Sequence, residues 1–307
     1  MNPVPVLVIL GPTAIGKTRL AVKVAEHLKG EIISADSRQV YQGMTIGTGK
    51  DLSEYQTPSG QIPFHLIDIR NPGYEFNVFE FRNEALNVIE NCSKRSRLPV
   101  ICGGTGLYLS SLLQDYRFSS VPENPILREQ LGSLSDQNLI DILTSKKQLH
   151  NKTDLTDRKR LIRAIEIAEG EETTQCEEQK IQLDPLIFGL DCPRELLYSR
   201  IDKRLSDRLN SGLIEEVKRL LDSGITPDQL RFYGLEYRFV TDYLQGIISR
   251  EVLETELARA IHKFAKRQLT WFRKMEKEGV VINWLNAEHD PDFNVRIILE
   301  KMNRLTF

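Results

Sequence analysis

Residues 11–18, Gly11-Pro12-Thr13-Ala14-Ile15-Gly16-Lys17-Thr18, constrain this chain more than any other stretch. An apolar run over 4–10 precedes them, and a helix-like run over 19–28 follows. Strand, glycine-rich loop and helix with the spacing G-x-x-x-x-G-K-[ST] turn backbone N–H groups inward to cradle phosphate oxygens. Lys17 adds a mobile positive charge, and the Thr18 hydroxyl can bind a magnesium ion. The helix N-terminus contributes a partial positive charge of its own. The ligand therefore carries at least two phosphates, as a nucleotide or as another diphosphate.

Three strands of the expected sheet end in chemically loaded loops. Besides the phosphate loop these are Asp36-Ser37-Arg38-Gln39, after a strand over 31–35, and Gly103-Gly104-Thr105-Gly106, after a strand over 99–102. In an open parallel sheet, ligands bind beyond the carboxyl ends of the strands, so the three loops are expected to share one cleft. Asp36 then stands near the phosphates, as a base, as a water-mediated magnesium ligand or as an N-cap of the next turn. Further strands are expected at 64–69, 186–190 and 280–285, and helices at 77–94, 194–211, 213–222, 234–245 and 250–276. Residues 42–63 read as a long loop. His65, in an apolar strand, reads as a satisfied core histidine or as one that supports site residues from behind, rather than as a catalytic group.

Between 119 and 184 no strand is evident, and helices are expected at 124–134, 136–146 and 157–169, the last with Asp157 as N-cap. The chain thus reads as α/β: a P-loop NTPase-like parallel sheet core flanked by helices, formed by 1–118 and 185–307, with an all-helical insertion domain at 119–184. A length of 307 residues suits two such units.

Hydrolytic partners are missing. A nucleotide hydrolase would show a strand ending in a magnesium-linked Asp, whereas the strand over 99–102 ends in glycines. Asp68 could stand in. Net charge is −2, so a polyanionic partner must be argued from local charge. Three basic stripes supply it: Lys159, Arg160 and Arg163 opposite Leu161, Ile165 and Ala168; Arg200, Arg204 and Arg208; and Arg259, Lys263, Lys266 and Arg267 before Trp271 and Arg273. Together they tilt the reading towards nucleic acid. Four cysteines, Cys92, Cys102, Cys176 and Cys192, have no C-x-x-C spacing and read as free thiols of a reducing compartment. No run reaches the length of a membrane span, and the first apolar run already feeds the phosphate loop. A cytoplasmic monomer is expected.

In series, G11PTAIGKT18, I33SADSRQVYQGMTIGTGK50, H65LIDI69, G103GTGLY108, R160LIRAIEI167, R200IDKRL205 with G212LIEEV217, and A265KRQLTWFR273 resemble the tRNA dimethylallyltransferase family, of bacterial type. The resemblance implies transfer of a dimethylallyl group from dimethylallyl diphosphate to N6 of the adenosine just 3′ of the anticodon, in tRNAs reading codons that start with U. Diphosphate leaves, and Mg2+ is required. It implies that residues 11–18 hold the diphosphate, with Lys17 and a metal at Thr18 stabilising its departure, and that Asp36 accepts the amine proton. Ser37, Arg38, Gln39 and Thr105 match contacts to the target nucleotide, with Thr105 also in the catalytic set. Lys159, Arg160, Leu161, Ile162 and Arg163 match the insertion's contact with the anticodon stem-loop, and Arg204 is expected on the diphosphate. The alternative within this chemistry is prenylation of free AMP or ATP. Departures from the family pattern are Ile15, Gly49-Lys50-Asp51, Arg208 and Gly234-Leu235-Glu236-Tyr237.

Overall fold

The computed structural model describes residues 3–114, 121, 123–146, 157–171 and 181–305. The chain forms two compact units, Met1–Asp115 with Ile181–Phe307, and Tyr116–Lys180.

The larger unit opens with β1 (Val4–Leu10), α1 (Lys17–Leu28) and β2 (Gly30–Ala35). Residues 42–63 are more structured than a long loop. They hold a turn at 45–49, a 3-10 turn (Leu52–Tyr55) and a short hairpin of β3 (Gln56–Thr57) and β4 (Gly60–Gln61). Next come β5 (Phe64–His65), α2 (Val78–Lys94), β6 (Leu98–Gly103) and α3 (Gly106–Leu113). The smaller unit contributes α4 (Pro125–Gly132), α5 (Asp136–Lys146) and α6 (Arg158–Glu171). The larger unit resumes with β7 (Leu183–Asp191), α7 (Arg194–Asn210), α8 (Leu213–Asp222), α9 (Pro227–Phe232) and α10 (Leu235–Leu244). It ends with α11 (Arg250–Lys277), β8 (Asn283–Asn286) and α12 (Pro291–Leu305).

All pairings in the six-stranded sheet, ordered β5-β2-β6-β1-β7-β8, are parallel. Central strands of such a sheet are covered on both faces and are therefore continuously apolar, as Val6, Leu7, Val8, Ile9 and Leu10 are in β1. Register brings the loaded ends together, since Leu10 of β1 and Ala35 of β2 both stand opposite Gly103 of β6. Loops leaving these three ends therefore start side by side.

Local details amend the sequence reading. The expected strand over 64–69 stops at His65, because Leu66 (φ 61°) and Asp68 (φ 56°) are left-handed and break the pleat. Asp68 receives a hydrogen bond from the buried Lys50 ammonium and lines neither cavity described below, so it is no stand-in metal ligand there. The final strand runs Asn283–Asn286, not 280–285. Leu183 pairs with Val4, which assigns the last residues expected in the insertion to the core; the other expected boundary, at 118/119, lies outside the described residues. His65 is satisfied as expected, 2.8 Å from Glu31. Glu31, His65 and Cys92 converge closely enough to hold a cation, but the Arg95 guanidinium already pairs with both Glu31 oxygens. That pairing holds the Glu31 carboxyl down at about 2. Cys92, Cys102 and Cys192 are free thiols, and Cys176 lies outside the described residues.

In the smaller unit, Leu131, Leu139, Leu143, Leu161 and Ile165 form the core. Asp157 caps α6 through its carboxylate, which accepts the Arg160 N–H. Glu166, 1 % exposed, binds the guanidinium groups of Arg128 and Arg163 and the N–H of Asn124. No helix among the described residues is long and apolar enough to cross a membrane.

Candidate active site

Two cavities meet at the carboxyl end of the sheet, and Asp36 lines both. The smaller, about 190 Å³, is bordered by Thr13, Ala14, Gly16, Lys17 and Thr18 of the phosphate loop, and by Asp36, Asp51, Cys102 and Arg204. The larger, about 550 Å³, is bordered by Asp36, Ser37, Arg38, Thr105, Phe232 and Trp271, among others. Thr13, Thr48 and Arg204 share the junction with Asp36.

The phosphate loop is shaped by two left-handed residues, Ala14 (φ 63°) and Gly16 (φ 95°). Gly16 is the N-cap of α1 and provides no side-chain cap, so the first N–H groups of the helix stay available to an anion. Lys17 bends back so that its ammonium donates to the Pro12 carbonyl at 2.7 Å. Burial lowers its pKa to about 8; Cys102 and Asp36 oppose that shift and nearby Arg204 adds to it. Arg204 is itself lowered to about 10, first by burial and then by the adjacent Arg208, with Glu236 opposing. Two buried cations brought together at the phosphate loop favour an anionic ligand between them.

Not every residue of the motif lines the cradle. Ile15 is 3 % exposed and belongs to the core, and the buried Gly11 packs against the Leu190 carbonyl. Pro12 serves Lys17 instead. Gly11, Pro12 and Ile15 do not border the smaller cavity with side-chain atoms and set the shape of the loop, a kind that meets phosphate through backbone N–H groups. Thr13 is spoken for as well: its N–H donates to Gln268 Oε1 at 2.8 Å, and its hydroxyl accepts from Arg204 at 2.5 Å. Arg204, expected at the diphosphate, is thereby fixed at the cradle wall.

Gln268 is a residue the sequence reading passed over. From α11 it accepts the Thr13 N–H and donates Nε2 to the Gly104 carbonyl at 2.8 Å, joining the loops after β1 and β6. Its signal was the glutamine within the K-R-Q-L-T-W-F-R run. Replacing Gln268 with leucine orphans an N–H and a C=O, each worth about 1–3 kcal/mol when buried. We expect a lowered urea midpoint with an unchanged m-value, read by circular dichroism.

The loop after β2 is held at several points. One Asp36 oxygen accepts the Arg38 N–H at 2.9 Å, and among the described residues no second hydrogen-bond partner engages the carboxylate. The Ser37 N–H donates to the Thr105 hydroxyl at 3.2 Å. The Gln39 amide accepts from Ser34 and donates to the Gly49 carbonyl, so Gln39 fastens the loop internally and faces only the smaller cavity. The Arg38 guanidinium lies 5.2 Å from the centre of the exposed Phe232 ring. Trp271 donates its indole N–H to Ser110 at 2.9 Å. Phe264, Arg267 and Trp271 bring one turn after another of α11 to the larger cavity. Such alternation of cationic and flat apolar groups suits a nucleobase joined to phosphates.

Thr18, Asp36, Asp51 and Glu54 border the smaller cavity with oxygen-bearing side chains; among the described residues these carboxylates do not converge into a closed cage, so they suit a hard divalent cation that keeps most of its waters. In the insertion, Lys159 and Arg160 are exposed, whereas Leu161 is 1 % exposed and Ile162 packs against the helical core. Leu161 therefore offers no surface to RNA. Arg163 is engaged by Glu166 and the Val121 carbonyl, which makes it a structural tie.

The family model described as IPP transferase matches residues 39–275, and that described as isopentenyl transferase matches 4–57. The chain is similar to tRNA dimethylallyltransferase 1 of Geotalea daltonii, with 54% identity over 93% of this chain and 92% of the relative. It is 50% identical to tRNA dimethylallyltransferase 2 of Bacteroides fragilis over 96% of this chain and 97% of that one. Among solved structures it is similar to the tRNA isopentenylpyrophosphate transferase of Bacillus halodurans, with a TM-score of 0.72, 33% identity and coverage of 98% and 96%. With the family matched over most of its length, the chain belongs to the IPP transferases, the tRNA dimethylallyltransferase family.

Proposed function

We propose that the protein transfers the dimethylallyl group of dimethylallyl diphosphate to N6 of the adenosine just 3′ of the anticodon in tRNA. The observation that carries this reading is the place of Asp36, where a phosphate cradle opens into a cavity of base-binding size. The allylic C–O bond breaks with its electron pair leaving on the diphosphate. The adenine N6 forms the new bond to that carbon, and its proton passes to Asp36. An adenine amine is a weak nucleophile because its lone pair is delocalised into the ring; a carboxylate at hydrogen-bond distance orients it and relieves the developing positive charge.

The free N–H groups at the start of α1, with Lys17 and Arg204, receive the charge that builds on the leaving diphosphate. The Thr18 hydroxyl, with the neighbouring carboxylates, would hold Mg2+, which supplies further neutralisation of the diphosphate when bound. Because no phosphoryl group moves, the site has no need of a hydrolytic water or the residue that orients one. The adenosine must leave the anticodon-loop stack to reach Asp36, and Arg38, Phe232 and Trp271 line the cavity it enters.

Lys159 and Arg160 are the groups in the insertion we assign to the anticodon arm. Their joint replacement by alanine is expected to weaken tRNA binding and to reduce the slope of log affinity against log salt by roughly 1–2 units. Donor affinity should stay the same. Filter binding over a salt series checks this, and Arg163→Ala is a poor substitute because it unpicks the Glu166 tie. The reading itself is tested by incubating the protein with labelled dimethylallyl diphosphate, Mg2+ and unmodified tRNA, then digesting to nucleosides. Label in N6-(dimethylallyl)adenosine is expected. Diphosphate release without any labelled nucleoside would overturn the reading.

A further inference from the structure

We propose that Glu216 is a positioning residue for the transfer step, acting through the 45–49 turn at the junction of the two cavities; the proposal rests on the reading just given. Glu216 lies in the first turn of α8 and is 3 % exposed. Its carboxylate accepts the backbone N–H groups of Thr45 (2.9 Å), Ile46 (2.8 Å) and Gly47 (3.0 Å), and the Tyr237 hydroxyl at 2.6 Å. No ion pair reaches it among the described residues. Four donors from two segments far apart in sequence take the place of a cation.

Those N–H groups are the open end of a single helical turn. Gly49 and Lys50 donate back to Thr45, and the Thr48 hydroxyl donates to Met44. Thr45 is exposed and Ile46 half-buried, but Gly47 is buried, and an unpaired buried N–H costs about 1–3 kcal/mol, so the one carboxylate satisfies donors the turn cannot satisfy itself. Tyr237 completes the clamp: a Cβ added to Gly47 would lie 2.6 Å from the Tyr237 ring, so only glycine lets the ring press against the turn. Burial, reinforced by Glu216, raises the Tyr237 pKa, which keeps its hydroxyl a donor.

The clamped turn is also part of the site. Thr48 borders both cavities, Gly47 the larger and Gly49 the smaller. The Gly49 carbonyl holds the Gln39 amide, tying the turn to the loop that carries Asp36. A shift of the turn would therefore change how the two substrates meet at Asp36 while leaving the phosphate loop and the rim of the larger cavity in place. Misplacement by about 1 Å is enough to cost ~10²-fold in rate.

The test compares Glu216→Gln and Tyr237→Phe with the parent, using labelled dimethylallyl diphosphate, Mg2+ and unmodified tRNA. Rates are taken per folded molecule, well below each variant's melting temperature. In Glu216→Gln an amide NH2 faces backbone N–H donors, and kcat should fall by about 10²-fold while KM for each substrate changes by less than about threefold. Glu216→Asp, which keeps the charge, should recover part of the loss. Tyr237→Phe removes one donor and keeps the ring, so kcat should fall by roughly 3–10-fold with the fold intact. If Glu216→Gln does not fold, Tyr237→Phe decides: a lower kcat supports the proposal and a parental kcat overturns it. A folded Glu216→Gln with parental kcat overturns it too and leaves Glu216 a structural role alone. Absence of transfer by the parent would defeat the functional reading, and this proposal with it.

Discussion

Asp36→Asn is expected to lower the single-turnover transfer rate by ~10²–10⁴ at saturating tRNA, the usual worth of a positioned proton acceptor. The amide still has an oxygen to accept the Arg38 N–H, so the loop over 36–39 keeps its shape. It has no lone pair basic enough to take the adenine proton. Affinity for tRNA should therefore stay close to the parent's, measured by filter binding at fixed salt. Asp36→Glu keeps the charge and moves it by about 1 Å, and it should lose ~10²-fold in rate. A parental rate in Asp36→Asn would exclude this carboxylate as the base and leave it a turn-forming residue.

Lys17→Met should lower transfer by ~10²–10³, the cost of removing a preorganised charge from the leaving group. It should also change the pH dependence of donor binding. Burial, with Arg204 adding to it, pulls the Lys17 pKa down to about 8. Below that pH it is already an ammonium, and affinity for dimethylallyl diphosphate is flat. Above it a proton must be taken up with the ligand, so affinity falls by up to about tenfold per pH unit. The stability of the fold itself runs the other way. Lys17 ionises near 10.5 when unfolded, so between about pH 8 and 10.5 the unfolded chain holds the extra proton and stability rises with pH. Calorimetric titration of the donor between pH 7 and 10 checks the binding limb, and in Lys17→Met this limb should be absent.

How far the site was legible follows from the range of the interactions that build it. The phosphate loop, the loop after β2 and the glycines after β6 are contiguous motifs, and parallel topology alone predicts that their ends meet. Leu10, Ala35 and Gly103 stand in register as that argument requires. Gln268 and Glu216 were not legible, because each acts on backbone groups more than 160 residues away and nothing local in a helix announces it. The helix α9 carries a locally readable signal, since Thr226 and Gln229 form a capping box with proline in the first turn. The expected strand over 64–69 failed at two left-handed residues that carry side chains, which no apolar pattern discloses. Among the basic stripes, charge spacing could not separate the exposed Lys159 and Arg160 from Arg204, whose guanidinium is turned into the site.

In the proposed reaction the cradle holds a leaving group while the larger cavity receives an adenosine presented by tRNA. Unmodified tRNA, AMP and ATP offered in parallel, each with labelled dimethylallyl diphosphate and Mg2+, test it most directly. Label is expected in N6-(dimethylallyl)adenosine from tRNA, with AMP and ATP remaining unlabelled. Label in AMP or ATP with none in tRNA would contradict it.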